Sequence, residues 1–111
     1  MAPPVPATLP DGFLDALRGR LAAHYGDRLV RAVLFGSYAR GEATEDSDVD
    51  VLVVLRGSVS AWNEARALSA VTLDVLVEAG HLVSFVAVGE AEAATGGALM
   101  RNVRTEGVEI A

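Results

Sequence analysis

Apolar positions in this chain recur at two spacings, and the changes between them divide it into elements. Phe13 or Leu14, Leu17, Leu21 and Tyr25 stand three to four residues apart, which predicts a helix capped by Asp11 and stopped by Gly26-Asp27. Arg28 to Phe35 alternates loosely and then becomes continuously apolar, the pattern of a strand buried at its C-terminal end. Gly36-Ser37 ends it, and Ser37 to Gly41 has room for one helical turn. Asp46-Ser47 signals another turn before a second strand, Val49 to Leu55. Beyond Arg56-Gly57-Ser58, with Ser60 as a cap, the stripe Trp62, Ala65, Leu68, Thr72 or Leu73, and Leu76 predicts a helix that ends at Gly80 and buries Trp62. Leu82 to Val88 has the length and β-branched content of a third strand. Glu90 to Thr95 suits a short helical turn, and Ala98 to Glu106 a last helix with Leu99 and Val103 inward. Val108 to Ile110 suits a short edge strand.

The order helix, strand, strand, helix, strand, helix predicts an α/β (α+β) fold, a small mixed sheet of three to four strands packed with about three to four helices. At 111 residues there is room for one domain, over 11–111. Residues 1–10 hold all four prolines, Pro3, Pro4, Pro6 and Pro10, and are expected to form an extended, disordered tail. No apolar run approaches the roughly 18 residues a bilayer requires, and MAPPVPATLP lacks the charged and apolar regions of a secretory signal. A cytoplasmic protein without membrane contact is the expectation. Cysteine is absent, so disulfides and thiolate chemistry are excluded.

Charge narrows the partners. The formal net charge is −6, and all nine basic residues are arginines scattered along the chain, so non-specific binding to nucleic acid is not expected. Glu42, Glu45, Asp46, Asp48 and Asp50 crowd into a segment without a base. Solvation relieves such repulsion, and so does a bound divalent cation.

Asp48 and Asp50 sit two residues apart at a strand start, which turns both to one face about 6.6 Å apart along the chain. Such a pair can share two Mg²⁺ ions, and two metals about 4 Å apart clamp the attacking and leaving oxygens of a nucleotidyl transfer. Gly36 permits close approach of backbone to phosphate, the amides after Ser37 open a helical turn, and Ser37 adds a hydroxyl. Taken singly, Gly36-Ser37 is an ordinary turn and the aspartates an exposed edge; together they suit a metal-complexed nucleoside triphosphate. Arg40 has two equal expectations, reaching phosphate or pairing with Glu42, Glu45 or Asp46. Asp46 and Ser47 are expected to shape the turn, Tyr38 to pack half-buried or exposed, and His24 and His81 to be structural rather than ligands.

Phe35-Gly36-Ser37, followed after a spacer by Asp48-Val49-Asp50-Val51, resembles the signature of the DNA polymerase β nucleotidyltransferase superfamily. The string GSYARGEATEDSDVD is similar to that of minimal nucleotidyltransferases, antitoxin-like domains found beside HEPN partner proteins, and LMRNVRTEGVEI is similar to their tails. The resemblance implies the nucleotidyltransferase fold and an Mg²⁺-dependent transfer of a nucleoside monophosphate, AMP from ATP, to a hydroxyl on a HEPN-type partner. Asp48 and Asp50 would be catalytic and hold metal, while Gly36, Ser37 and Arg40 would bind nucleotide. Active members usually carry a third carboxylate on the next strand. Here Leu82 to Val88 contains none; Ser84 stands in its place, and Glu90 lies just beyond. A catalytically weak or inactive nucleotide-binding module that neutralises a partner by contact is therefore the alternative. Both readings require a partner, so exposed apolar surface on the sheet or last helix would suit either, and both admit a homo-oligomer.

Overall fold

A computed structural model describes residues 6–111; the first half of the expected disordered tail, residues 1–5, lies outside the described residues. The second half has no regular structure but rests on the domain. The Ala7 amide donates to the Ala43 carbonyl at 2.8 Å, and Leu9 packs against the core.

In chain order the elements are α1 (Phe13–Tyr25), a 3₁₀ turn (Gly26–Arg28), β1 (Leu29–Phe35), α2 (Ser37–Arg40), β2 (Val49–Leu55), α3 (Ala61–Ala67) and α4 (Ser69–Ala79). They continue with β3 (Val83–Gly89), α5 (Glu90–Thr95), α6 (Ala98–Glu106) and β4 (Val108–Glu109). The fold is mixed α/β. One four-stranded sheet runs in the order β3-β2-β1-β4, with β1 antiparallel to β2 and β4 and β2 parallel to β3. The parallel pair needs a long crossover, which α3 and α4 supply.

Side chains of β2 alternate between two buried faces, and the strand reads as continuously apolar for that reason. Val49, Val51, Val53 and Leu55, with Ala32 and Leu34 of β1, meet Leu17 and Leu21 of α1, Leu68, and Val75 of α4. Leu52 and Val54 join Val33 and Val88 under Met100 and Val103 of α6. Burying an aliphatic side chain of this size contributes about 1.5–3 kcal/mol. The two-sided core therefore holds the strand ends in fixed register.

Three local expectations change. Asp11 is not the cap of α1: the helix starts at Phe13 after Gly12, whose φ of 80° and glycine backbone make the turn without a side-chain hydrogen bond. Gly26 ends the helix as expected. The helix predicted from Ser60 to Gly80 begins with its expected cap, Ser60 Oγ accepting from the Asn63 amide at 3.4 Å, but divides at Leu68 into α3 and α4. The inward face is nevertheless continuous across the division, through Glu64, Leu68, Val71, Thr72 and Val75, and Trp62, six residues and about 240° before Leu68, lies off it: Leu68 and Val75 are buried while Trp62 is 72% exposed rather than in the core. Leu73, Leu76 and Val77 of α4 are exposed as well. The large exposed apolar residues thus lie mainly on α3 and α4, with Leu82 just before β3 and Val108 on β4. No helix among the described residues is long and apolar enough to cross a membrane.

Candidate active site

The residues singled out in the sequence converge where β1 ends and β2 and β3 begin. Phe35 is the antiparallel partner of Asp50, and Asp50 is the parallel partner of Ser84. With a period of two, Asp50 and Ser84 share the sheet face that carries Leu52, Val54, Val86 and Val88, the face covered by α6. Asp48, immediately before β2, is exposed, and Asp50 is half-buried.

Gly36 joins the strand to the site. Its φ of 77° and ψ of −158° belong to a region essentially restricted to glycine. A Cβ at this position would stand 2.2 Å from Asp50 Oδ2 and 3.1 Å from its Cγ. The bare backbone is therefore packed directly against the carboxylate. Ser37–Arg40 then winds one turn, with the Arg40 amide donating to the Gly36 carbonyl at 3.1 Å and Gly41, at φ 72°, closing it. So short a helix contributes local amides rather than a macrodipole. The acidic connection is shaped as expected by its turn residues: the Thr44 amide donates to Ser47 Oγ at 2.9 Å, the Asp46 amide to Thr44 Oγ1 at 3.3 Å, and Ala43 is buried as an anchor.

Burial pushes the Asp50 carboxyl above the usual carboxylate range. Asp48 adds to the rise, Arg40 opposes it, and Glu106 adds again. An ionised Asp50 is thus incompletely compensated by the protein's own charges, the situation a cation relieves. Arg40 donates to Glu42 Oε2 at 3.3 Å and to Glu106 Oε2 at 2.9 Å, so the pairing expectation is realised with Glu42 and with a partner the sequence did not indicate. Glu106 Oε1 also accepts from the Gly36 amide at 3.4 Å. Nothing in local spacing brings the end of α6 to residue 36. The contact arises because β4 pairs with β1, Val108 opposite Leu34, and because Gly107 turns the chain where a Cβ would meet Val103 O at 2.3 Å and Val33 Cγ1 at 2.6 Å.

Ser84 lies beside Asp50, where the sequence placed it. Glu90 does not reach the site: β3 runs parallel to β2, Gly89 pairs with Leu55, and Glu90 is therefore about 20 Å from the Asp50 end of the sheet. Tyr38 is half-buried, its ring edge-on to His81 at 6.0 Å, and His81 is in turn edge-on to Phe13 at 5.4 Å. His24 packs edge-on against Tyr25 at 4.6 Å. Both histidines pack against aromatic rings.

Among the described residues no group of three or more histidine, cysteine, aspartate or glutamate side chains is arranged to hold a metal ion. The available donors are the Asp48 and Asp50 carboxylates. That set fits Mg²⁺, which commonly takes one or two carboxylates and completes its shell with water and substrate phosphate oxygens.

A family described as the nucleotidyltransferase domain matches residues 14–101. A protein described as a candidate adenylyltransferase of Methanocaldococcus jannaschii is 48% identical over 42 residues, 38% of this chain and 38% of that protein. The protein adenylyltransferase MntA of Thermococcus cleftensis is 49% identical over 43 residues, 39% of this chain and 41% of that protein. The matched stretches thus span well under half the length of these relatives. Among solved structures, one described as a candidate minimal nucleotidyltransferase is 33% identical with a TM-score of 0.52, covering 86% of this chain and 93% of that one. A toxin–antitoxin complex with AMP-PNP has a TM-score of 0.59 at 21% identity, covering 89% of this chain and 73% of that one. An AMPylated Shewanella oneidensis HEPN toxin with its MNT antitoxin gives 0.50 at 18% identity, covering 89% and 72%. The last two likenesses are likenesses of fold.

Proposed function

Because the chain belongs to the nucleotidyltransferase domain family, we propose that it is an Mg²⁺-dependent protein adenylyltransferase, moving AMP from ATP to a hydroxyl on a HEPN-type partner protein. Residues 11–111 act as one domain in this reading, and the setting is the cytoplasm. The observation that carries it is the packing of Gly36 on the Asp50 carboxylate, which brings the glycine-serine turn and the aspartate pair into one site. The names of the two adenylyltransferase relatives favour adenylyl transfer, and the fold shared with an AMPylated toxin's antitoxin favours a protein hydroxyl as acceptor.

Asp48 and Asp50 would hold Mg²⁺, which supplies charge neutralisation of the triphosphate and of the developing pyrophosphate. The Gly36 and Ser37 backbone and the Ser37 hydroxyl would bind phosphate oxygens, with Arg40 as a mobile cation at their edge. In the transfer the acceptor oxygen bonds to the α-phosphorus, the bond from that phosphorus to the bridging α–β oxygen breaks, and pyrophosphate leaves. The hydroxyl proton passes to solvent or to a base on the partner, since Ser84 cannot accept it near neutral pH. Trp62 and Val77, 72% and 76% exposed, are apolar surface available to such a partner.

The test combines the protein with α-labelled ATP, Mg²⁺ and the product of the neighbouring gene. Label is expected on the partner with wild type and not with Asp48→Ala or Asp50→Ala. Transfer that survives both substitutions would sink the proposal. Ser84 at the register of Asp50 favours one other reading, a nucleotide-binding module that neutralises its partner by contact. Neutralisation undiminished by both aspartate substitutions would establish it.

A further inference from the structure

The adenylyl-transfer reading leaves Glu106 without a role, although its side chain contacts both ends of the turn proposed to bind phosphate. One oxygen of its carboxylate accepts from the Gly36 amide at 3.4 Å and the other from Arg40 Nη1 at 2.9 Å. These two donors are among those that would face a triphosphate. Only 14% of the Glu106 side chain is exposed, so the carboxylate is set into the turn rather than resting on its surface.

Its position in the sheet order decides what it can be. Ser84 lies on the β3 side of Asp50, where a third metal-binding carboxylate would stand. Glu106 lies on the opposite side, beyond β1, because it leads into β4 and β4 pairs with β1. It is therefore on the phosphate side of the aspartates, and it does not replace the missing acid. A carboxylate and a phosphate oxygen compete for the same N–H donors, and both are favoured by the same cation. Two anions cannot share the Gly36 amide and Arg40 without repulsion.

We propose that Glu106 is a resident anion of the nucleotide site, occupying the Gly36 amide and Arg40 until the triphosphate displaces it, and so lowering the affinity for the polyphosphate arm. This rests on the adenylyl-transfer reading for the place of the triphosphate. On displacement Arg40 passes from Glu106 to phosphate. Glu42, at 3.3 Å from Arg40 Nε, keeps the guanidinium near the turn in either arrangement. Discrimination follows from the exchange: a single anion such as inorganic phosphate gains little by breaking the pair, whereas a triphosphate neutralised by Mg²⁺ on Asp48 and Asp50 can make several contacts at once.

The test is calorimetric titration of Mg²⁺ with ATP, and separately with inorganic tripolyphosphate, into wild type, Glu106→Gln, Glu106→Asp and Asp50→Ala. Glu106→Gln keeps the shape and removes the charge. Both ligands should bind it at least about threefold more tightly than wild type, the scale of one partly exposed ion pair. Glu106→Asp shortens the reach by one methylene, keeps the charge, and should also tighten binding, by less. Arg40→Ala should weaken binding more in the Glu106→Gln protein than in wild type, because only there is the arginine free beforehand. Unchanged or weaker binding by both folded Glu106 variants, with melting temperatures at the wild-type value, would overturn the proposal and make Glu106 a support for Arg40. Failure of the adenylyl-transfer reading looks different: wild type and Asp50→Ala would then bind Mg²⁺·ATP alike.

Discussion

Replacing Gly36 by alanine tests the construction of the site at its tightest point. Two costs are expected, and they are separable. The backbone at φ 77° and ψ −158° penalises any L side chain by about 1–3 kcal/mol. The added Cβ would also stand 2.2 Å from Asp50 Oδ2, 3.1 Å from Cγ and 3.3 Å from Cβ, an overlap comparable to overpacking a core and worth about a further 1–3 kcal/mol. The sum, about 2–6 kcal/mol, is a large share of the 5–15 kcal/mol that holds a typical domain together. Urea unfolding of wild type, Gly36→Ala, Asp50→Ala and the double variant separates the two costs. In the Asp50→Ala background only the 3.3 Å contact remains, so Gly36→Ala should cost little beyond its backbone strain. The coupling between the two sites should then be about 1 kcal/mol or more, outside the roughly 0.3–0.5 kcal/mol within which independent sites add. If instead the carboxylate of Asp50 rotates away to make room, the overlap cost is relieved and only the backbone strain remains, but Mg²⁺·ATP binding is lost. A Gly36→Ala protein that melts with wild type and binds Mg²⁺·ATP equally well would refute the packing of Gly36 on Asp50.

Other outcomes follow from the same geometry. Asp50→Asn should raise the melting temperature of the metal-free protein near neutral pH while abolishing Mg²⁺ binding. The folded-state pKa of Asp50 is raised, so its ionised form opposes folding. Wild-type stability should therefore gain as pH falls through the raised value toward the ordinary 3.8, and the asparagine variant should lack that gain; equal pH profiles would count against it. Ser84→Asp places a carboxylate beside Asp50 at the parallel register and should raise the transfer rate by about 10²-fold if a base is what the site lacks, measured with label and partner as above. Glu90→Ala, at the far end of β3, should leave both transfer and Mg²⁺·ATP affinity unchanged, and a tenfold loss would contradict the sheet topology. Tyr25 is buried, its hydroxyl without a hydrogen-bond partner among the described residues, and burial, followed by the neighbouring Glu64, raises its pKa well above the ordinary 10.0. The folded phenol stays protonated where the unfolded one ionises, so its contribution is intact below about pH 10 and declines above it. Tyr25→Phe should flatten that alkaline decline in thermal melts, and an identical slope would show that Tyr25 is not its source.

Much of the site was legible because its residues are close in sequence. Gly36, Ser37, Asp48 and Asp50 lie on either side of one loop, and the two-residue spacing of the aspartates keeps the Asp48 charge close enough to act on Asp50. The strands β1, β2 and β3 were legible for a related reason: a strand buried on both faces leaves a continuous apolar run bounded by glycine and polar residues. Trp62 shows where that logic stops. Steps of three from Trp62 to Ala65 to Leu68 drift about 240° around the helix, so Trp62 stands off the face that Glu64, Leu68 and Val75 share, and a stripe drawn through it assigns the wrong face.

What the sequence determined by itself was therefore local: which segments are strands, where the chain must turn, and which two carboxylates stand close together. Strand order, the pairing of β4 with β1, and the arrival of Glu106 at the Gly36 amide were decided only by the tertiary structure. The Glu106 contact joins residues 70 positions apart, and the packing of α6 on the Leu52–Val54 face of β2 brings them together. No periodicity within a window records which distant segment will cover a strand. Glu90 and Glu106 make the point together, since the acid nearer in sequence to the third strand is far from the site, and the one at the end of the last helix occupies it.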